Sequence, residues 1–557
     1  MSQHLLILPI LLPMLTALAL LLSGQTSTSF QRLASIAATG ALVILGALLL
    51  YRAGSGDISA YALGNWQAPY GIVLVLDRLS ALMVALTAVL AFGCVLFASA
   101  GDDTRGSNFH AIFQLQLMGL NGAFLTGDMF NLFVFFEILL LASYALLMHG
   151  GGKARIGAGL HYVVLNLVGS ALFLVALGVL YGATGTLNMA DMGRRIAMLS
   201  ADKSALASAG ALLLIVVFSL KAAILPLYFW LPSTYASAPA PVAALFAIMT
   251  KVGLYAILRV NTLVFAESPA LVFIEAWLWW GGLATILFGG IGVLAARDMR
   301  TLVAYLVLVS VGTLMSASGM GHVASVSALI FYLVHTTLIA GALFLLAELV
   351  GMQRGKAGTR LVRARKLRQP TLLGGMFMIA AVAVAGIPPL AGALGKLLLM
   401  QAADETQRLM LWPLLLLAGL AALVALSRAG SVLFWASYKG EPSGPVANRR
   451  QLSGATWLLV SAPLLVLLAS PVSHYTDATA EQLFNPQQFT ETLLPPLVPL
   501  AKEPLAKTSR TEATRTKAPL IDTSSLTNYS KAVSSDIATA KQPALAHTAA
   551  SVTGDKR

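Results

Sequence analysis

The chain has 557 residues, 58% hydrophobic and only 11% charged, and its mean hydropathy is strongly positive. A water-facing surface needs far more charge than this, which excludes an assembly of soluble domains. The formal net charge of +13 would point to nucleic acid in a soluble protein; here Lys and Arg in orienting membrane loops account for it, and no nucleic-acid partner is expected.

Apolar runs follow one another at 4–22, 32–51, 72–98, 109–127, 129–148, 158–182, 205–231, 238–262, 270–295, 299–317, 322–350, 371–401, 409–437 and 453–471. Each approaches the roughly 20 residues that cross a bilayer as a helix. A β-barrel would show short alternating segments instead. The expected fold is an all-α polytopic membrane protein of about fourteen transmembrane helices. No Lys or Arg precedes the run 5–22 and no small-residue cleavage site follows it, so it reads as a retained first helix rather than a signal peptide.

The connecting charges orient the runs. Loops after odd-numbered runs carry Arg32, Arg105, Lys153, Arg155, Arg297, Arg300, the basic stretch 351–370, Lys439, Arg449 and Arg450. Loops after even-numbered runs carry Arg52, Arg194, Arg195, Lys203, Arg259 and Arg408. The first set is the richer and is expected on the cytoplasmic side of the cell membrane, with both termini on the outer, periplasmic side. After about residue 485 Ser, Thr, Ala and Pro replace the apolar runs, and 500–557 reads as a disordered or partner-ordered tail.

Cys94 is the single cysteine, no CxxC or metal-ligand spacing occurs, and no metal or cofactor is expected. No P-loop, nucleotide fingerprint or catalytic triad is present, so no enzymatic chemistry is expected either.

Ionisable residues inside membrane helices are costly and mark ion paths. Glu137 in NLFVFFEILLLASY, Lys221 in VVFSLKAAILPLYFW, Lys251 in FAIMTKVGLYAILRV and Lys396 in GIPPLAGALGKLLLM are such positions. His335 in FYLVHTTLIAG is a fifth and can change charge near neutral pH. Two of the lysine runs contain prolines. Pro226 removes the helical partner of the Ala222 carbonyl, and Pro388 and Pro389 free those of Val384 and Ala385. Lys396 follows Pro389 by seven residues, about two turns, and so shares its face. Lysine-bearing broken helices in two halves are what an inverted-repeat transporter shows, although no convincing residue-level self-similarity links the halves.

Each residue has a plainer reading. Glu137 and Lys221 could be a static buried ion pair, with a similar packing role for Lys251. Lys396 could snorkel, and His335 could be a hydrogen-bonded core histidine. His161, in a helix with Asn166, reads as structural. Asp77, Asp128 and Arg428 lie near helix ends, where capping or anchoring explains them, and Glu348 reads as an interfacial charge.

The segments TGDMFNLFVFFEILLLASYALL (126–147), FSLKAAILPLYFWLPSTYASAPAPVAALFAIMTKVGLYAILR (218–259), AGIPPLAGALGKLLL (385–399) and SRAGSVLFW (427–435) resemble one family. It is the antiporter-like family shared by Mrp-type multisubunit cation/proton antiporters and the proton-pumping membrane subunits of respiratory complex I. The resemblance covers roughly residues 1–470 and is nearer to the Mrp branch. It implies two inverted five-helix repeats with broken helices 7 and 12, each a proton half-channel.

On this reading 1–108 holds helices 1–3, 109–262 the first bundle, 263–437 the second, 438–484 helix 14 and its flanks, and 485–557 a polar tail. The resemblance also implies a proton relay in which Glu137 pairs with Lys221, Lys251 bridges toward the second half, and His335 leads to Lys396. Relatives often carry a lysine shortly after the histidine. Here the stretch reads HTTLIAGALF, leaving either His335 itself or Thr336, Thr337 and water as the central link. Implied partners are the lipid bilayer, H⁺, Na⁺ or another monovalent cation, and the other subunits of an antiporter complex. A pumping subunit of a quinone-linked oxidoreductase and a non-conducting scaffold are the alternatives.

Overall fold

A computed structural model describes residues 3–23, 27–438 and 444–494. Where no water can satisfy the backbone, an apolar run must close its hydrogen bonds internally, and helices result. The chain opens with α1 (Leu8–Leu22) and α2 (Thr28–Ala53), the latter capped by Ser27, whose hydroxyl accepts from the Phe30 N–H. A short antiparallel hairpin follows, β1 (Ser59–Ala62) on β2 (Val73–Leu76). The run 72–98 is therefore not helical throughout: its first residues pair as a strand, and α3 (Arg78–Ala98) starts only at the Asp77 cap. There the Asp77 carboxylate accepts from the Ser80 N–H at 2.8 Å and the Ser80 hydroxyl accepts from the Asp77 N–H at 2.9 Å.

Next come α4 (Phe109–Leu125), α5 (Met129–Met148) and the 32-residue α6 (Lys153–Thr184). A short, mostly buried helix, α7 (Met189–Ile196), joins α6 to α8 (Ala201–Ala222). The run 205–231 breaks after α8 and resumes as α9 (Trp230–Ser237). The run 238–262 divides into α10 (Ala240–Phe246) and α11 (Met249–Arg259), and α11 closes on a π-turn, Val260–Val264. The second half contains α12 (Leu271–Ala295), α13 (Met299–Gly319) and α14 (Val323–Met352). The two-residue strand β3 (Ala364–Arg365) leads to a second broken run, α15 (Pro370–Ala385) and α16 (Ala391–Ala402). α17 (Glu405–Gly430) and β4 (Ser437–Tyr438), parallel to β3, precede α18 (Arg449–Leu459), α19 (Ser461–Leu467), α20 (Ala469–Leu483) and α21 (Pro486–Leu493).

Among the described residues eleven helical stretches are long and apolar enough to span a membrane. The remaining sequence runs, 4–22, 109–127 and 371–401, coincide with helices too short to qualify alone: 15 residues in α1, 17 in α4, and 16 and 12 in the two pieces α15 and α16. Within the stretch expected as a polar tail, residues 486–493 form α21, which buries Phe489 and Leu493; the rest of that expectation, 495–557, lies outside the described residues.

Two polar faces collect the loops. On one, Arg32 reaches Asp103 at 2.6 Å, Arg105 reaches Asp102 at 2.7 Å, and Glu348 joins Arg300 to Arg105. Arg155 donates to the Ser237 carbonyl, Arg300 to that of Ala238, and Arg450 to that of Ser99. The Thr359 hydroxyl, from the basic loop 351–370, donates to the Asp298 carboxylate at 2.7 Å. The loops after odd-numbered runs thus meet in one network. Burial pushes the Asp102 carboxyl up to about 6, with Arg105 opposing. Burial acts on Asp103 in the same sense, but hydrogen bonds from Arg32 and His110 prevail and hold it at about 2.

On the other face Arg259 grips Asp77 with two hydrogen bonds, of 2.6 and 2.9 Å, beneath the Phe489 ring. Asp128 caps α5, and Gln482 accepts from the Arg78 N–H. His4 lies 3.2 Å from the Tyr61 hydroxyl on β1, and α21 also packs on β1, so the two ends of the described chain meet on this face. Asp77 and Asp128 thus cap helices, Glu348 ties loops together, and Arg428 anchors α17 to the carbonyls of Leu294 and Ala296.

Candidate proton path

The two most enclosed stretches, 240–264 and 323–352, pack side by side through α10 and α14. They carry Lys251 and His335, and the other singled-out residues flank them.

In the first half α5, α6 and α8 converge. Glu137 lies midway along α5, half-buried, and accepts a short hydrogen bond from the Ser170 hydroxyl on α6. Lys221, 5% exposed, lies in the last turn of α8. Its amine donates to Asn166 Oδ1 at 3.2 Å, to the Asn166 carbonyl at 3.4 Å and to Ser170 Oγ at 3.5 Å. Glu137 and Lys221 make no direct ion pair; the serine hydroxyl stands between them, which corrects the expected direct pairing. One turn nearer the α6 start, the Tyr162 hydroxyl is 3.0 Å from that of Ser143, and Asn166 Nδ2 donates to the Tyr162 carbonyl. Ser170 and Asn166 are not among the residues that hydropathy singles out. The available signal was their i, i+4 spacing, which puts two polar side chains on one stripe of an apolar helix. His161, also on α6, is exposed.

Lys251 is fully enclosed, and its amine has no hydrogen-bond partner among the described residues. It sits in the first turn of α11, just after Ala247 and Ile248, which keep helical backbone angles but donate to the carbonyls three residues back, Ala244 and Leu245, a local tightening of the helix. α11 crosses α8 at its lysine end: a Cβ on Gly253 would lie 2.7 Å from the Ala222 nitrogen. Only glycine permits that approach, which brings the Lys251 helix against the end of the Lys221 helix.

The second half is organised by one helix end. α15 stops at Ala385, leaving its last carbonyls without helical partners. His335 Nε2 lies 3.2 Å from the Ala383 carbonyl, and Lys396 donates to those of Val384 at 3.2 Å and Ala385 at 2.8 Å. Three consecutive carbonyls at the negative end of a helix dipole thus serve His335 and Lys396 together. The proline argument located the last two. Thr336 and Thr337 both return their hydroxyls to the Leu333 carbonyl. Thr336, with His335, Tyr332 and Ser310, lines a cavity of about 20 Å³, room for one water; Thr337 does not line it.

The two breaks match. α8 ends in Ala222-Ala223-Ile224-Leu225-Pro226-Leu227, and α15 in Ala385-Gly386-Ile387-Pro388-Pro389-Leu390. Ala223 and Gly386 both adopt left-handed conformations, φ 64° and 80°. The following Ile N–H turns back to the Ser219 carbonyl in one case and the Val382 carbonyl in the other, each at 3.1 Å.

Residues 126–422 match the family model described as NADH:quinone oxidoreductase/Mrp antiporter, transmembrane. The D-type subunit of a probable K⁺/H⁺ antiporter of Rhizobium meliloti is 43% identical over 534 residues, covering 88% of this chain and 98% of that protein. The D-type subunit of a Na⁺/H⁺ antiporter of Bacillus subtilis is 38% identical over 498 residues, covering 88% and 99%. A chain of the Mrp complex from Dietzia has the same fold, with TM-score 0.81 at 23% identity over 89% of this chain and all of the other. So does a chain of an archaeal membrane-bound sulfane sulfur reductase, with TM-score 0.80 at 25% identity over 88% of this chain and all of the other.

Proposed function

The chain belongs to the NADH:quinone oxidoreductase/Mrp antiporter family, and on that basis we propose that it is the D-type subunit of a multisubunit monovalent cation/proton antiporter. It moves protons through the membrane along Glu137, Lys221, Lys251, His335 and Lys396, and transforms no substrate. The observation that carries this reading is placement. Lys221 lies at the end of α8 and is held by Asn166, Lys251 follows the tightened turn at Ala247 and Ile248, and His335 and Lys396 share the carbonyls that end α15. Packing joins the helices in order, α5 to α6, α6 to α8, α8 to α11, α11 through α10 to α14, and α14 to α15 and α16. The similar antiporter subunits are named for K⁺ in one case and Na⁺ in the other, so the exchanged ion is assigned only as a monovalent cation.

Inverted vesicles holding the whole complex should dissipate a pre-formed ΔpH on addition of Na⁺, K⁺ or Li⁺. Vesicles holding this chain alone should not, because the path delivers protons to partner subunits. Robust exchange by the single chain would overturn the subunit reading.

We assign the face of Arg105, Arg300 and Arg450 to the cytoplasm, with both termini outside and fourteen crossings between them. The support is the clustering of the basic odd-numbered loops and the meeting of residues 3–6 and α21 on the opposite face. A reporter active only outside the cytoplasm should be active when fused after Leu483; a stable but inactive fusion would require an odd number of crossings.

A further inference from the structure

We propose that the Ser170 hydroxyl is the bridge through which Lys221 and Glu137 exchange a proton, with Asn166 as the site where the charged amine waits; this rests on the proposed proton path. The Ser170 hydroxyl donates to Glu137 Oε1 and at the same time faces the Lys221 amine at 3.5 Å, while Asn166 holds that amine at 3.2 Å. Acid and base are thus separated by one group that can give a proton and take another. A static ion pair would bring them into direct contact, and these residues do not do so.

The transfer balances. The Lys221 ammonium gives one N–H proton to Ser170 Oγ as the serine O–H proton passes to Glu137 Oε1. One N–H bond and one O–H bond break, two O–H bonds form, and the serine ends as the neutral hydroxyl it began as. The ammonium becomes an amine and the carboxylate a carboxylic acid, so no net charge is left on the pair. For this to occur the amine must shorten its 3.5 Å approach to the serine and release Asn166. The backbone allows the closeness: a Cβ on neighbouring Gly169 would lie 2.7 Å from Leu220 Cδ2, so α6 and α8 touch beside the serine. The hydroxyl also has no competing partner on its own helix, since Ser170 donates forward to Glu137 rather than back to a carbonyl of α6.

The test compares Ser170→Ala, Ser170→Thr and Lys221→Ala in the whole complex, in inverted vesicles with subunit levels measured. Loss of a positioned proton carrier costs on the order of a hundredfold. Ser170→Ala should therefore slow cation-driven ΔpH dissipation by at least tenfold, leave the cation concentration for half-maximal rate unchanged, and increase the slowing seen in D₂O. Ser170→Thr, which keeps a hydroxyl, should restore most of the rate. The bridge is overturned if Ser170→Ala keeps more than half the rate, if threonine fails to rescue at normal subunit levels, or if the loss leaves the D₂O effect unchanged. Failure of the wider path would look different, because Lys221→Ala would then also retain exchange.

Discussion

Replacing Lys221 with arginine is expected to abolish cation-driven proton movement while the complex still assembles. The comparison separates two uses of a buried charge. If Lys221 were there only to balance Glu137, arginine would serve, since it carries the same charge and offers more donors to the Asn166 and Ser170 oxygens. If Lys221 passes protons, it must exist without its charge during part of every cycle. Arginine cannot do that, because its pKa exceeds about 12. Lys221→Ala should be equally inactive, so that removing the proton carrier gives the same defect without any added bulk. Glu137→Gln, which keeps the shape but cannot exchange a proton, should join them. The measurement is ΔpH dissipation on adding Na⁺ to inverted vesicles, with all subunits quantified in the same membranes. An assembled Lys221→Arg complex that exchanges at near-normal rate would refute the relay and leave a static charge in its place.

Much of this site was legible because membrane burial makes polar residues conspicuous. Glu137, Lys221, Lys251, His335 and Lys396 stand out in apolar runs, and proline located the helix end at which Lys396 finds its carbonyls. What stayed hidden was whatever hydropathy does not weigh. Ser170 and Asn166 are small or neutral enough to pass unnoticed, yet they decide how Lys221 meets Glu137. The tightened turn between α10 and α11 beside Lys251 contains no proline or glycine, so nothing local announces it. Val73–Leu76 reads as the start of a membrane helix by composition, but its β-branched alternation pairs it with Ser59–Ala62. The match between the two breaks is a six-residue motif, too short to rise above background until both backbones are seen to turn alike.

That match sets up the second large expected effect, at Gly386. The equivalent position in the first break is Ala223, which holds a left-handed φ of 64° despite its side chain. The fold therefore tolerates alanine in this kind of cap, at a backbone cost of about 1–2 kcal/mol. Gly386 differs in what lies above it. A Cβ there would come within 2.8 Å of Lys396 Cδ and 2.9 Å of its Nζ. These atoms are the mobile end of a long side chain, so the protein can yield by moving the lysine, and little stability is lost. The amine, however, is pushed from the Val384 and Ala385 carbonyls that hold it. Gly386→Ala is accordingly expected to leave assembly near normal but to cut antiport by about tenfold or more, the size of effect a small misplacement of a reacting group produces. Ala223→Gly, which removes one methyl group and relieves the left-handed strain, should be close to neutral. Gly386→Asn completes the argument. Asparagine accepts left-handed backbone readily but still carries a Cβ, so it should be as inactive as alanine. If asparagine restored exchange that alanine had lost, backbone strain alone would explain the defect, and the position of the Lys396 amine would not matter to proton movement.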